Sequence, residues 1–142
     1  MDHPQKFCSY KGAVLANECD SNNHMNVMYY INKFEHAGRS FSQELGLSSQ
    51  YMKKQKLGIA VVEQLIQYKR EVFEDDIINI YSHAIGTTSK VMQFCHEMYN
   101  LETKVLSAIV DIKLVMFDLD KRKSINIPEH IIQSINNHKL VV

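Results

Sequence analysis

Asp20-Ser21-Asn22-Asn23-His24-Met25-Asn26, with the helix predicted directly behind it over Met28–Leu45, is the stretch that organises the chain. It places a carboxylate, an imidazole, a hydroxyl and three carboxamides within seven residues. Apolar side chains then recur at helical spacing, which predicts a helix with one buried face: Tyr30, Phe34, Ala37, Phe41 and Leu45. Free N–H groups at the start of such a helix, beside a carboxylate, can stabilise a developing oxyanion. A simple helix cap explains the same residue types, because Asn and Asp are preferred capping residues.

Composition indicates one globular domain spanning residues 1–142, which is long enough to bury a core. Lys plus Arg and Asp plus Glu both number 16, so no basic field suggests a nucleic-acid partner. The sequence has no apolar run of membrane-spanning length, and Met1–Lys11 lacks the pattern of a signal peptide. A cytoplasmic protein without a membrane partner is therefore predicted.

Cysteine and histidine spacing argues against a metal site or a disulfide framework. Cys8, Cys19 and Cys95 are an odd number without Cys-x-x-Cys spacing, and the seven histidines show no His-x-x-x-His pair. We therefore predict no metal and reduced, mostly buried thiols. Cys19 adjoins Asp20 and is an alternative nucleophile, which no other sequence feature supports.

The remaining pattern predicts a single α+β domain in which an antiparallel sheet wraps the long helix. Residues 1–10 are predicted to be irregular, Leu47–Lys56 a connection or short helical turn, and Pro128 the start of a short helix with Ile131, Ile132 and Ile135 inside. Both faces of the strand that starts at Leu57 are mixed, so its inner face is left open. The predicted strands are Lys11–Cys19, Leu57–Lys69, Ile77–Ile85, Val91–Tyr99 and Val105–Phe117, with a hairpin turn at Gly86–Ser89.

Together, the first strand, the Asp-x-x-x-His-Met-Asn loop, the long helix and the four-strand run resemble the hotdog-fold acyl-CoA thioesterases of the 4-hydroxybenzoyl-CoA thioesterase type. Their loop pattern is approximately Asp-x-x-Gly-His-Val/Met-Asn, with a Tyr soon after and a Glu on the helix. The matching positions here are Asp20, His24, Met25, Asn26, Tyr29 or Tyr30, and Glu35. Asn23 replaces the usual Gly, and Asn tolerates left-handed backbone best after Gly. Val27 replaces a second Asn that many members carry.

The resemblance implies roles for the loop residues. Asp20 would be the catalytic carboxylate, acting as a general base on water or as a nucleophile at the thioester carbonyl. His24 would position water or the acyl group, or brace the loop, and Asn26 would hold the loop or cap the helix. The oxyanion would be bound by a backbone N–H near Val27 or Met28.

Substrate-binding positions are expected on the helix, on one strand and at one turn. Tyr29 and Tyr30 would contact the acyl group, and Glu63 interrupts an apolar strand face, which favours an active-site or dimer-edge position. Glu35 is expected to be solvated or at an interface. The coenzyme A phosphates would be bound by hydroxyl and basic side chains, for which the candidates are Thr88, Ser89 and Lys90, or the run Lys121-Arg122-Lys123.

The resemblance implies an acyl-CoA thioesterase that needs no separate cofactor, since coenzyme A is part of the substrate. It also implies a homodimer or homotetramer, paired through the edge strand Ile59–Lys69. The alternatives are a hotdog dehydratase or hydratase, a non-catalytic acyl-CoA-binding or regulatory module, and a purely structural dimer. The acyl group stays open; the paired tyrosines lean toward betaine- or carnitine-like thioesters, because aromatic rings attract quaternary ammonium groups.

Overall fold

A curled antiparallel sheet surrounds one long helix in the computed structural model, which describes residues 6–140. The strands are β1 (Phe7–Ala13), β2 (Leu57–Tyr68), β3 (Ile77–Thr87), β4 (Val91–Asn100), β5 (Leu106–Asp118) and β6 (Lys123–Ser124). The helices are α1 (Val27–Glu44), α2 (Ser49–Gln55) and α3 (Glu129–Asn137), and a 3-10 turn spans Ala16–Glu18. Within residues 6–140 no helix combines the length and the apolar character needed to cross a membrane.

The strands lie in the order β1-β3-β4-β5-β2, every pairing is antiparallel, and β6 adds to β5. Helix α1 packs on the inner side of β1, β3 and β4. A groove therefore stays open between α1 and the inner side of β5 and β2. This architecture confirms the predicted α+β hotdog fold.

The apolar face of α1 is buried as its spacing predicts. Each side chain of that face is at most 6% exposed, and the face comprises Tyr30, Phe34, Ala37, Phe41 and Leu45. The helix ends before Gly46, whose φ of 100° lies in the left-handed region that favours glycine. Alternate residues of β5 belong to the same core, namely Ala108, Val110, Ile112 and Met116.

A β-bulge explains why both faces of β2 look mixed in the sequence. Val61 pairs with Leu114 and Glu63 with Lys113, so Val62 is an extra residue. Cross-strand partners point to the same side of a sheet, and the bulge therefore exchanges the two faces at Val62. The residues that share the side of the helix are Leu57, Ile59, Val61, Gln64, Ile66 and Tyr68.

The first strand was predicted wrongly. It was expected over Lys11–Cys19, whereas β1 ends earlier and is followed by the 3-10 turn at Ala16–Glu18. β1 carries a bulge at Ser9, whose buried Oγ donates to Ile80 O at 3.1 Å. Because polar side chains of β1 find partners inside the protein, the strand lacks the apolar alternation that would reveal it. Residues 1–5 of the predicted irregular segment lie outside the described residues.

The structure also tests three smaller predictions. Of the two alternatives predicted for Leu47–Lys56, a connection or a short helical turn, the structure has the helical one, because this segment contains helix α2, capped by Ser48 through a hydrogen bond from Tyr51 N at 3.1 Å. In α3 Ile131 and Ile135 are buried, as predicted, but Ile132 is only half-buried. The thiols were expected to be mostly buried, yet only Cys95 is; Cys8 is exposed and Cys19 is intermediate.

A buried ion pair ties α1 to the turn before the loop. Lys33 is 2% exposed, and its Nζ donates to both carboxylate oxygens of Glu18 at 3.0 Å. Glu18 Oε1 also accepts from Leu15 N at 2.9 Å, and Glu18 O accepts from Asn26 N at 2.8 Å. Glu18 thus links the turn, the start of α1 and the helix interior.

We expect Lys33→Met to lower the free energy of unfolding by about 3–5 kcal/mol, because it leaves the Glu18 carboxylate buried without its cation. Urea denaturation would measure this loss. Arg39→Met is the matched control, since Arg39 pairs with Glu35 on the exposed side of the same helix and should cost below about 0.5 kcal/mol. Equal losses for the two variants would contradict a structural role for the buried pair.

Candidate active site

The loop from Asp20 to Asn26 folds around the Asp20 carboxylate. Asp20 Oδ1 accepts from Asn22 N at 2.9 Å, and Asp20 Oδ2 accepts from Asn26 Nδ2 at 3.0 Å. The Asp20 backbone donates to His24 O and accepts from Asn23 N. Asn23 has a φ of 62°, so the position where the family usually carries Gly does use left-handed backbone.

Backbone bonds hold the loop against the rest of the protein. Met25 is buried, and its N–H donates to Val72 O at 2.7 Å. Cys19 forms an isolated antiparallel bridge with Met25, and Asn26 N is bound by the carbonyl of Glu18. The Asp20 carboxylate is therefore presented by a loop that is fixed on both sides.

The hydrogen bonds to Asp20 favour its ionised form. The Asn22 N–H, the Asn26 carboxamide and nearby His24 outweigh partial desolvation and lower the pKa of Asp20 below its ordinary value. Asp20 is therefore a carboxylate throughout the neutral range. The neighbouring Cys19 differs, since desolvation and the charge of Glu74 raise the pKa of its thiol. Cys19 is consequently protonated at neutral pH and a poor nucleophile.

His24 lies between two carboxylates. Its Nε2 is 3.6 Å from Asp20 Oδ1, and its Nδ1 is 2.9 Å from Glu71 Oε1. A proton on Nδ1 would bind Glu71 and orient the ring toward Asp20. Sequence reasoning missed Glu71, because it follows β2 and is 47 residues away from His24 along the chain.

We expect Glu71→Gln to lower kcat for the reaction proposed below by about threefold to tenfold, since one partly exposed hydrogen bond orients the ring. His24→Gln should cost more. The double variant should then lose no more than His24→Gln alone, because Glu71 acts through His24. Steady-state kinetics of the three variants measures this coupling, and additive losses would contradict it.

The start of α1 leaves the backbone N–H of Val27 free within the described part of the chain. Asn26 Oδ1 accepts from Met28 N at 3.0 Å, and Asn26 O accepts from Tyr29 N at 2.9 Å. The N–H of Val27 has no hydrogen-bond partner among residues 6–140. Of the two expected oxyanion donors, Met28 is thus occupied by the cap and Val27 is open. The capping role expected for Asn26 is confirmed.

A cavity of about 340 Å³ adjoins the loop and the helix start. The ring of Tyr30 forms one wall and meets Tyr68 edge-on at a centroid distance of 5.0 Å. Burial, and then the neighbouring Tyr68, raise the pKa of Tyr30 to about 12. Lys69 and Arg70 are exposed at its rim, and neither was singled out in the sequence. The complete lining is His24, Met25, Val27, Tyr30, Tyr68, Lys69, Arg70 and Glu71.

Other side chains that were singled out in the sequence do not line this cavity. Tyr29 is half-buried and packs against the core. Glu63 faces away from the helix, because of the Val62 bulge, and pairs with Lys113 at 3.0 Å. Glu35 is solvated and pairs with Arg39, as expected.

The structure also separates the expected phosphate-binding turn from the loop. Thr88 Oγ1 accepts from Val91 N at 3.0 Å and closes the β3–β4 turn together with Ser89 and Lys90. The loop adjoins the opposite end of β3, where Val14 N binds Asp76 O. An eleven-residue strand spans roughly 35 Å, so this turn does not reach the loop site of its own chain. The run Lys121-Arg122-Lys123 lies at that same far end, after β5.

Among residues 6–140, one group of potential metal ligands occurs, on the outer face of the sheet. Atoms of His83, Cys95 and Glu97 lie within 4.8 Å of one another. Lys6 Nζ already binds Glu97 Oε1, and burial raises the pKa of the Cys95 thiol to about 12. The group therefore holds its own cation and a protonated thiol, and it gives no support to a metal site.

Comparisons with known proteins agree with this fold. A family model described as the thioesterase-like superfamily matches residues 14–135. A search of curated protein sequences finds no match. Similar solved structures include the hypothetical protein SAV2348 from Staphylococcus aureus in complex with CoA, which is 17% identical with a TM-score of 0.87 over 96% of this chain and 89% of that chain.

Two further structures similar to this chain carry thioesterase names. The DHNA-CoA thioesterase from Staphylococcus aureus is 20% identical, with a TM-score of 0.80 over 94% of this chain and 95% of that chain. The probable thioesterase YbaW from Escherichia coli is 19% identical, with a TM-score of 0.79 over 93% and 98% of the two chains. At these identities the structures establish the shared fold, and the family model covers most of the chain. The chain therefore belongs to the thioesterase-like superfamily.

Proposed function

We propose that the protein hydrolyses an acyl-CoA thioester to the free acid and coenzyme A. The observation that carries the proposal is the double role of Asn26, whose carboxamide binds the Asp20 carboxylate and also caps α1. One side chain thereby joins an ionised carboxylate to a helix start with a free N–H at Val27. These are the two groups that thioester hydrolysis needs.

In the proposed reaction the thioester carbonyl oxygen accepts a hydrogen bond from the Val27 N–H. Negative charge grows on that oxygen during attack and is stabilised by this donor and by the helix dipole. Asp20 either removes a proton from the attacking water or attacks the carbonyl carbon itself, in which case water then cleaves the mixed anhydride. The C–S bond breaks, and the thiolate of coenzyme A leaves without strong acid assistance, because thiols are acidic relative to alcohols.

Substrate binding would use the cavity beside the loop. Tyr30 and Tyr68 offer aromatic surface to the acyl group, and Lys69 and Arg70 offer cations to the phosphates of coenzyme A. The similar Staphylococcus aureus protein SAV2348 was solved in complex with CoA, which supports a coenzyme A thioester as the ligand class. No separate cofactor enters this reaction.

The active assembly is proposed to be a homodimer, or a homotetramer made of two such dimers. β2 lies at the edge of the sheet, which leaves one side of a twelve-residue strand unpaired. Two large apolar side chains on it that do not line the groove are exposed, Val62 at 57% and Leu65 at 63%. Antiparallel pairing of two copies through β2 would cover them. Light scattering tests the oligomeric state, and a monomer at micromolar concentration would contradict the proposed dimer.

A cytoplasmic location stays a prediction.

Thiol release from a panel of acyl-CoAs, spanning aromatic, short, long and quaternary-ammonium acyl groups, tests the proposal. Turnover of at least one member supports the thioesterase. Hydration of an enoyl-CoA without thiol release would favour the dehydratase alternative. Acyl-CoA binding with neither reaction would favour a non-catalytic binding module.

A further inference from the structure

A buried histidine on the inner side of the sheet takes no part in the loop site. His96, on β4, is 1% exposed, and its ring lies 6.4 Å from that of Phe34 and 6.2 Å from that of Phe41. It belongs to the floor of the groove between α1 and β2, a cavity of about 650 Å³. The neighbouring floor residues are apolar and include Phe94, Ile112 and Leu114.

Three successive contacts can all be hydrogen bonds only if Nδ1 of His96 carries the proton of the ring. Ser9 Oγ donates to Ile80 O at 3.1 Å, so its single proton is used. In the 2.7 Å contact between the two hydroxyls Ser82 Oγ must then be the donor to Ser9. In the 2.5 Å contact that follows, Nδ1 of His96 must donate to Ser82 Oγ. Burial lowers the pKa of His96 to about 4, so the ring is neutral and Nδ1 holds its only proton.

Nε2 of His96 is therefore a hydrogen-bond acceptor, and it has no partner among residues 6–140. It faces Gly38 of α1, where an added Cβ would lie 3.8 Å from Nε2. Because Gly38 has no side chain, no Cβ at this position of the helix lies against the nitrogen. An acceptor on the floor of an apolar groove gives up water when a ligand enters, so a ligand that supplies a donor would be bound in preference to one that does not.

We propose that the groove holds the far part of the acyl chain, beyond the part next to the thioester that lies beside Tyr30 and Tyr68, and that His96 Nε2 accepts a hydrogen bond from a hydroxyl group on that far part. This inference rests on the proposed thioesterase function, whose substrate class it narrows. The groove begins at Ile31, one helical turn beyond Val27, and continues along α1. Gly38 is eleven residues beyond Val27, which corresponds to roughly 16 Å along the helix. The hydroxyl would accordingly lie far from the thioester.

A neutral hydroxyl fits the groove better than a charged amine. The charged residues that line it, Glu35 and Arg39, are exposed and paired with each other at 3.4 Å. No carboxylate lies beside His96 on the apolar floor to balance an ammonium group. Burial of an unbalanced charge there would cost far more than burial of a hydroxyl that finds an acceptor.

The experiment compares kcat/KM for pairs of acyl-CoAs that differ only by a terminal hydroxyl, over a series of chain lengths. We expect wild type to prefer the hydroxylated member by about tenfold to a hundredfold at the length that reaches His96. Equal kcat/KM within every pair, or a preference for the unsubstituted member at all lengths, would overturn the proposal.

Substitutions test whether the preference for the hydroxylated acyl-CoA depends on Nε2 of His96. In His96→Phe the preference should fall to about one, and in Ser82→Ala it should fall at least about threefold, because Nδ1 loses the acceptor that holds its proton. His83→Phe is the matched control, since it makes the same change on β3 at a side chain facing away from the groove. A preference that survives in His96→Phe, or that also disappears in His83→Phe, would contradict the assignment.

Binding separates this proposal from the proposed function. Calorimetry with Asp20→Asn measures the affinity of both members of a pair without turnover. Tighter binding of the hydroxylated member supports the role of His96 even if wild type releases no thiol, a result that would overturn the thioesterase alone. Equal affinity together with normal thiol release would overturn the role of His96 alone.

Discussion

Asp20→Asn is expected to lower kcat for thioester hydrolysis by at least about a hundredfold, or about 2.7 kcal/mol of barrier. The substitution keeps the size of the side chain and an oxygen for the Asn22 N–H, but it removes the negative charge. The protein should remain folded, because the Asn26 cap does not depend on that charge. Thiol release measures kcat, and circular dichroism checks the fold.

Asp118→Asn is the matched control for this variant. Asp118 also accepts backbone N–H bonds in a turn, from Asp120 and Lys121, and these bonds likewise lower its pKa. It lies at the end of β5, away from the loop. Equal losses in the two variants would show that Asp20 acts only through local structure.

The pH dependence of activity is a second test of the role of Asp20. The ionised carboxylate is the active form, and hydrogen bonds from Asn22 and Asn26 lower its pKa. Activity should therefore stay level as pH falls toward the ordinary aspartate value of about 4, and decline only below it. A loss of kcat/KM centred near pH 6 would assign the reaction to another group.

Val27→Pro is expected to have the second large effect, because proline has no N–H. Position 27 is the first residue of α1, where proline is favoured, and the preceding Asn26 already has the extended backbone that proline requires, with φ −69° and ψ 147°. The helix should therefore form normally. We expect kcat to fall by about a hundredfold to a thousandfold, as for loss of other oxyanion donors.

Val27→Ala distinguishes the contribution of the Val27 N–H to kcat from that of the Val27 side chain. It keeps the N–H and removes most of the apolar contact with the cavity, so the ratio of kcat between the two variants reports the donor alone. Thermal unfolding verifies that α1 is intact in both variants. A ratio near one would mean that the free N–H of Val27 is not the oxyanion donor.

Local signals made the long helix and its start predictable. The apolar spacing of α1, the cap at Asn26 and the left-handed backbone at Asn23 each depend on neighbours within a few residues. The loop motif likewise singled out Asp20 and His24, whose side chains lie 3.6 Å apart in the structure. These features need no knowledge of how distant segments meet.

Long-range features escaped prediction from the sequence for physical reasons. Glu71, Lys69 and Arg70 reach the cavity only because β2 ends beside the start of α1. A single bulge at Val62 reversed the face of Glu63, since the side-chain period of a strand is two. A charged turn at Lys90 gave no sign that it lies at the opposite end of the sheet from the loop.

The decisive experiment measures coenzyme A release by wild type and Asp20→Asn at saturating acyl-CoA, together with the affinity of Asp20→Asn for the same acyl-CoA. We expect turnover by wild type, a kcat ratio of at least about one hundred, and an affinity within about threefold of that of wild type. Equal turnover by the two proteins would contradict the role of Asp20. Tight acyl-CoA binding without turnover by wild type would contradict the enzyme itself.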